Sequence, residues 1–185
     1  LFFKLVYPRV PMLLTLQEGD SEQHILKRVG VFYPLWRLIF KKADHIQAIS
    51  SYLADFARRH GATCHIEIVP NGVNLDAYKT NRTYRSNKTY TVITTSRLVY
   101  KNGIDTLIRA CAQLLTTNYQ LLIIGDGPVR LKLEKLANDL GVSNKVKFIG
   151  HIDPALIPEY LAKADIFVRP SRSEGLGNSF LEAMA

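Results

Sequence analysis

Cysteine is scarce in this chain: Cys64 and Cys111 are the two thiols among 185 residues. They stand apart, with no Cys-x-x-Cys spacing and no Cys/His cluster, so neither a disulfide framework nor a zinc site is expected. A reducing cytosol is the default compartment for such a chain. Long apolar runs are lacking too. Residues 1–16 are apolar, but Lys4, Pro8, Arg9 and Pro11 interrupt them, and a spanning helix needs about 20 predominantly apolar residues. Nothing there has the form of a signal-peptide cleavage site, so no transmembrane segment is expected. Several motifs are missing: no Gly-x4-Gly-Lys-Ser/Thr loop, no Gly-x-Ser-x-Gly elbow, and at Gly125-Asp-Gly-Pro128 only part of the Gly-x-Gly-x-x-Gly dinucleotide pattern. That turn is read as structural. No Asp-x-Asp pair is present to hold a divalent metal beside a diphosphate. No repeat or low-complexity tract appears. Acidic residues are in deficit, 16 against 24 Lys plus Arg, for a net charge of +8. Such a balance favours nucleotides, phosphorylated lipids, membrane surfaces or nucleic acid, and does not choose among them.

What is present is ordinary globular material, 47% hydrophobic, enough to bury a core in one or two domains. Residue 1 is Leu rather than Met and the last residues run out inside a helical pattern without a stop signal, so the chain is read as a fragment. Strands are expected at 11–16, 45–49 and 65–69, with helices at 34–43 and 52–60, the second capped by Ser50 or Ser51 and closed by Gly61. The helix at 34–43 has an apolar and a basic face. It either packs on a sheet with its Lys and Arg solvated or touches anionic lipid. From residue 74 to 89 the aliphatics thin out and a linker is expected. A second series follows: strands at 90–95, 120–124, 146–149 and 165–168, the last read as buried, and helices at 103–115, 128–140 and from Asp153-Pro154 to 163. Strand and helix alternate in both halves, which is the pattern of doubly wound parallel sheets.

Ligands of such sheets bind beyond the carboxyl ends of the strands. Four stretches reach that edge. Ser96-Arg-Leu-Val-Tyr-Lys-Asn-Gly103 carries Arg97 and Lys101, cations suited to a diphosphate or simply exposed to solvent. Gly125-Asp-Gly127 and Gly150-His151 follow the next two strands, and His151 is either near the crevice or a plain loop residue. Ser171-Arg-Ser-Glu-Gly-Leu-Gly-Asn-Ser-Phe-Leu-Glu182 places Glu174 on the last loop and Glu182 in a helix. The two carboxylates and the free amides between them suit a sugar joined to a phosphate. Equally, Ser179-x-x-Glu182 fits a capping box, and Gly175 and Gly177 fit turns.

With these motifs in order, the chain resembles the retaining glycosyltransferases of family 4, of two-lobed GT-B fold. The resemblance rests on Ala43-Asp44 with Ser50-Ser51, Val69-Pro-Asn-Gly-Val-Asn-Leu-Asp-Ala-Tyr78, Ser96 to Gly103, Ile124-Gly-Asp-Gly-Pro128, Phe148-Ile-Gly-His151 and Glu174-x7-Glu182. It implies an α/β fold of two Rossmann-like lobes, both incomplete here: 1–78 from an acceptor-side lobe, 79–89 a linker, and 90–185 a truncated nucleotide-sugar lobe. It implies transfer of a sugar from a UDP- or GDP-linked donor to a glycan or lipid-linked acceptor with retained configuration, as in polysaccharide biosynthesis. Neither metal nor cofactor is implied, and no nucleic acid. Glu174, Arg97 and Lys101 would be catalytic, Glu174 on the sugar hydroxyls and the cations on the diphosphate. Glu182 would hold the ribose, Gly175, Leu176 and Gly177 would offer backbone amides, and Gly150 and His151 would lie near the base. One departure stands out: many members carry Lys directly before the glycine, where this chain has Asn102, with Lys101 one place earlier. A cytoplasmic protein is expected, peripheral at the inner face of the cytoplasmic membrane, with the fragment by itself inactive. Two other readings remain, an inactive nucleotide-binding homologue and a membrane scaffold.

Overall fold

In the computed structural model, which describes residues 2–78, 89–114 and 118–185, the strands form two separate parallel sheets. The chain divides into two compact units, one up to Gly72 together with Ser173–Gly177, the other Val73–Arg172 with Asn178–Ala185.

In the first unit, α1 (Phe2–Val6) precedes β1 (Leu13–Leu16), α2 (Glu22–Val29) and α3 (Tyr33–Lys42) lead to β2 (His45–Ala48), and α4 (Ser51–Arg59) leads to β3 (His65–Ile68). The strands lie in the order β1-β2-β3, all parallel. Ser50 is the N-cap of α4, its Oγ accepting from the Leu53 N–H at 3.4 Å. Leu53, Ala54, Phe56 and Ala57 are buried, the helical spacing that turns one face of α4 to the sheet. In α3 the Trp36 and Phe40 rings, one turn apart, meet at 4.8 Å, and Phe40 is buried. The packed reading of that helix therefore holds for its apolar face.

The sequence reading places no helix between residues 20 and 34, yet α2 forms there. None of its residues is fully buried, although Ile25 packs against the cluster of Phe40, Ile46 and Phe56; Ser21 accepts from the His24 N–H and Gly30 closes it at φ +49°.

The second unit begins with α5 (Leu75–Tyr78), which packs on α8 (Ile157–Ala162) further along the chain. That packing places the division before α5, whereas the expected boundary followed it. Residues 79–88 of the expected linker lie outside the described residues. Then come β4 (Tyr90–Thr95), α6 (Ile104–Ala112), β5 (Tyr119–Ile124), α7 (Arg130–Asp139), β6 (Val146–Gly150), α8, β7 (Ile166–Phe167) and α9 (Asn178–Met184). The sheet order is β6-β5-β4-β7, parallel throughout. Val92, Leu121 and Ile123 pack against α6 and α7 on one face, while Ile93, Ile124 and Ala164 form the core of the other. The expectation of a buried strand at 165–168 is corrected: β7 pairs with β4 alone among the described strands, and Ile166 is 48% exposed. Among the described residues no helix is long and apolar enough to cross a membrane.

Candidate functional site

The chain leaving β4 stays close to the chain leaving β5. The Ser96 N–H donates to the Ile124 carbonyl at 3.0 Å and the Leu98 N–H to that of Asp126 at 2.9 Å. This closeness explains the two glycines there. A Cβ on Gly125 would lie 2.0 Å from the Ser96 carbonyl oxygen, and one on Gly127 2.3 Å from that of Leu98. Gly125-Asp-Gly127 thus has the structural role expected of it, and the turn it supports carries Arg97, which is exposed.

Beyond Arg97 the backbone is held by Asn102, a residue the sequence reading treats only as a departure. Asn102 is 3% exposed and its Nδ2 donates to the Arg97 carbonyl at 2.6 Å. Lys101 sits half-buried in the 3-10 turn Tyr100–Asn102. Its carbonyl accepts from the Arg172 N–H at 2.7 Å. The Arg172 guanidinium forks onto both Asp105 oxygens at 2.9 and 2.8 Å, donates to the Tyr100 carbonyl at 2.7 Å and lies 4.3 Å from the Tyr100 ring centre. Hydrogen bonding from Arg172 is the main reason the Asp105 carboxyl stays below the usual carboxylate range. Two chain segments 67 residues apart, Asp105 and Arg172, are thereby fixed to each other.

At the end of β6, Gly150 has φ +85° and its carbonyl accepts from the Gly125 N–H at 2.7 Å. Arg130 covers it, bonded to Asp126 at 3.0 Å and Glu134 at 2.8 Å. The next residue, His151, is exposed. Asp126 is held below the usual carboxylate range chiefly by the Gly127 N–H, then by Arg130, with His151 adding a smaller charge effect. No group of three His, Cys, Asp or Glu able to hold a metal occurs among the described residues.

The last helix settles one of the open alternatives. Helix α9 starts at Asn178, so Ser179 lies inside it and is not its N-cap. Ser179 is buried and its Oγ accepts from Arg169. The capping-box reading of Ser179-x-x-Glu182 therefore fails, because the hydroxyl is spent on another segment. Glu182 is half-buried one turn further along and lines one cavity with Tyr78. Burial, then the nearby Glu182 charge, push the Tyr78 hydroxyl above its usual pKa. Glu174, Gly175, Leu176 and Gly177 belong to the first unit. A Cβ on Gly175 would lie 2.5 Å from the Glu18 carbonyl oxygen, and Leu176 packs on the cluster of Ala48, Ile49, Leu53 and Ala54. The Leu176 side chain is thus core, leaving its backbone for any ligand.

Arg97 and Lys101 after β4, and Gly150 and His151 at the end of β6, therefore all lie at the carboxyl edge of the second sheet. Arg169 and Arg172 with Asp105 carried no sequence signal as supports, since their partners are mostly distant in the chain, while Asn102 and Tyr78 stood in the quoted motifs without their contacts being legible. Arg130 did carry one, standing four residues from both Asp126 and Glu134.

A family model described as glycosyl transferases group 1 matches residues 79–185. The chain belongs to this family. It is 35% identical over 167 residues to the GDP-mannose-dependent α-(1-6)-phosphatidylinositol monomannoside mannosyltransferase of Mycobacterium tuberculosis, a match covering 80% of this chain and 43% of that protein. It is 44% identical over 94 residues to the lipopolysaccharide core biosynthesis glycosyltransferase LpsE of Rhizobium meliloti, covering 51% and 26%. Among solved structures, Anabaena HepE in complex with UDP and glucose superposes with a TM-score of 0.81 at 22% identity, over 98% of this chain and 52% of that one. Sucrose-phosphate synthase from Thermosynechococcus elongatus gives 0.80 at 23% identity, over 97% and 50%. This group 1 glycosyl transferase chain has the α/β architecture of GT-B proteins and spans about half the length of those structures.

Proposed function

We propose that the protein transfers a sugar from a nucleotide-sugar donor to a glycan or glycolipid acceptor with retention of configuration. The observation that carries the proposal is the Arg97–Lys101 turn, held at the carboxyl edge of a parallel sheet inside the segment that matches the family. Arg97 and Lys101 neutralise the diphosphate as the bond from its oxygen to the anomeric carbon breaks and the electron pair departs with it. The acceptor oxygen bonds to that carbon on the same face, and its proton passes to the leaving diphosphate. Glu174 holds hydroxyls of the donor sugar, the backbone of Gly175, Leu176 and Gly177 faces the anion, Glu182 takes the ribose, and Gly150 with His151 lies by the base. Neither metal nor cofactor is assigned to this chemistry. The mannosyltransferase and lipopolysaccharide-core relatives support a sugar acceptor carried on lipid, with GDP or UDP as the donor's nucleotide.

Titration calorimetry of the full-length protein with UDP and GDP tests this. One nucleotide should bind, and Arg97→Ala and Glu182→Ala should each weaken it by about 1–3 kcal/mol, what a charged hydrogen bond contributes. A folded protein that binds neither sinks the proposal. Contact with the inner face of an anionic membrane is part of the same reading, since Val31 and Phe32 are 88% and 68% exposed beside α2, whose last turn carries Lys27 and Arg28. Co-sedimentation with anionic but not zwitterionic vesicles is the expected result; equal behaviour with both would remove that part.

A further inference from the structure

Arg169 lies just past β7 and was singled out by no motif, yet it joins three segments. Its Nη1 donates to the Thr95 carbonyl, the last residue of β4, at 3.4 Å, and to Ser179 Oγ inside α9. Its Nε donates to Ser171 Oγ at 3.2 Å, and its guanidinium lies 5.7 Å from the centre of the Phe180 ring. Thr95 Oγ1 and Ser96 Oγ make no hydrogen bond among the described residues, so neither hydroxyl does the same work at this strand end. Ser179 and Glu182 are three residues apart on one helix and so share a face. A slide or rotation of α9 that breaks the Arg169–Ser179 bond carries the Glu182 carboxylate with it. We propose that Arg169 is a positioning residue of the nucleotide site, fixing α9 and its Glu182 to the end of β4 from which Arg97 extends. The inference rests on the transferase reading above and adds a residue to it.

Nη1 supplies the bonds to Thr95 and Ser179 while Nε supplies the bond to Ser171, and a Lys ammonium, a single point on a flexible stem, does not hold both nitrogen positions at once. Arg169→Lys keeps the charge and should weaken binding of UDP or GDP, whichever the wild type takes, by about tenfold, what one lost hydrogen bond is worth. The deciding readout is a cycle with Glu182→Gln. If Arg169 acts through Glu182, the double variant binds no more weakly than about the worse single one, because the carboxylate is already misplaced. A general loss of structure would instead multiply the two losses. Ser179→Ala is a milder variant with the same expected direction, and it keeps the inference open to refutation should the Arg169 variant fold poorly. Wild-type affinity in a folded Arg169→Lys protein, or losses that multiply in the cycle, overturns the inference while leaving the transferase reading intact. A wild type that binds neither nucleotide overturns both.

Discussion

Gly103 and Gly141 share a backbone conformation and differ in what surrounds them, which allows a steric contribution to be separated from a conformational one. Their φ angles are +67° and +70°. A Cβ on Gly141 meets nothing within 4 Å, whereas one on Gly103 would stand 2.1 Å from the Pro170 carbonyl oxygen. The left-handed conformation costs a non-glycine residue roughly 1–2 kcal/mol, and both alanine variants bear that. At Gly103 the Lys101 turn and the loop after β7 must also part by about 1 Å to restore an ordinary contact, and such overpacking costs roughly 1–3 kcal/mol more. Gly103→Ala should therefore lose about 1–3 kcal/mol beyond Gly141→Ala. Scanning calorimetry at neutral pH reads the difference, with fluorescence of Trp36, the single tryptophan and a residue of the first unit, as the control. That signal should be unaffected. Equal destabilisation by the two substitutions, within about 0.5 kcal/mol, the scatter of surface changes, would refute the claim that Gly103 is required by close approach. Nucleotide affinity should also fall in Gly103→Ala and not in Gly141→Ala, since only the former moves Lys101.

The Arg172–Asp105 pair should make stability depend on acid. Because the folded carboxyl sits below its usual value near 3.8, its contribution is present above that value and vanishes as pH falls through the folded one. The side chains are 31% and 35% exposed, so Asp105→Asn should cost less than about 1 kcal/mol, with the gap to wild type constant from pH 7 to about 5 and closing below about 4; a gap that widens in acid would contradict the pairing. Tyr78 should titrate in the opposite range. Its raised value means that its contribution holds below pH 10 and is lost as pH rises through the folded value. Ultraviolet titration of wild type against Tyr78→Phe isolates it from the other tyrosines, and Glu182→Gln should lower its midpoint while burial keeps it above 10. A Tyr78 component at or below 10 in the wild type would remove the Tyr78–Glu182 contact.

The parallel architecture is legible in the sequence because each strand is a short aliphatic run closed by a turn. Tyr90–Thr95 has the same limits in both readings, and the other strands differ by a few residues at their ends. Helix α2 is missed because only Ile25, Leu26 and Val29 of its eight residues are apolar, at a helical spacing too short to stand out among Glu22, Gln23, His24, Lys27 and Arg28. The burial of β7 is misjudged because an edge strand and a central one have the same composition over two to four residues. In the site, cations and glycines are visible in the sequence, since their residue types carry the chemistry. What holds them is not, because Arg172 finds Asp105 67 residues away and Arg169 finds Thr95 at a distance of 74, and no local pattern encodes such a pairing.

Asn102 shows how the departure from the family pattern is accommodated. Its position is buried, and its amide is committed to the Arg97 carbonyl. A lysine side chain in the same orientation would bring an ammonium into that enclosed space, where a charge without a carboxylate partner is costly. Asn supplies the one donor the turn needs with no charge to bury. Lys101, one residue earlier, is half-buried and fixed through its own carbonyl by the Arg172 N–H. The neutral side chain sets the course of the backbone between Arg97 and Gly103, and the charge stands on the residue whose backbone is tied to the loop after β7. Exchanging the two residues, so that Lys precedes the glycine, would therefore change the bracing of the turn as well as the place of the charge.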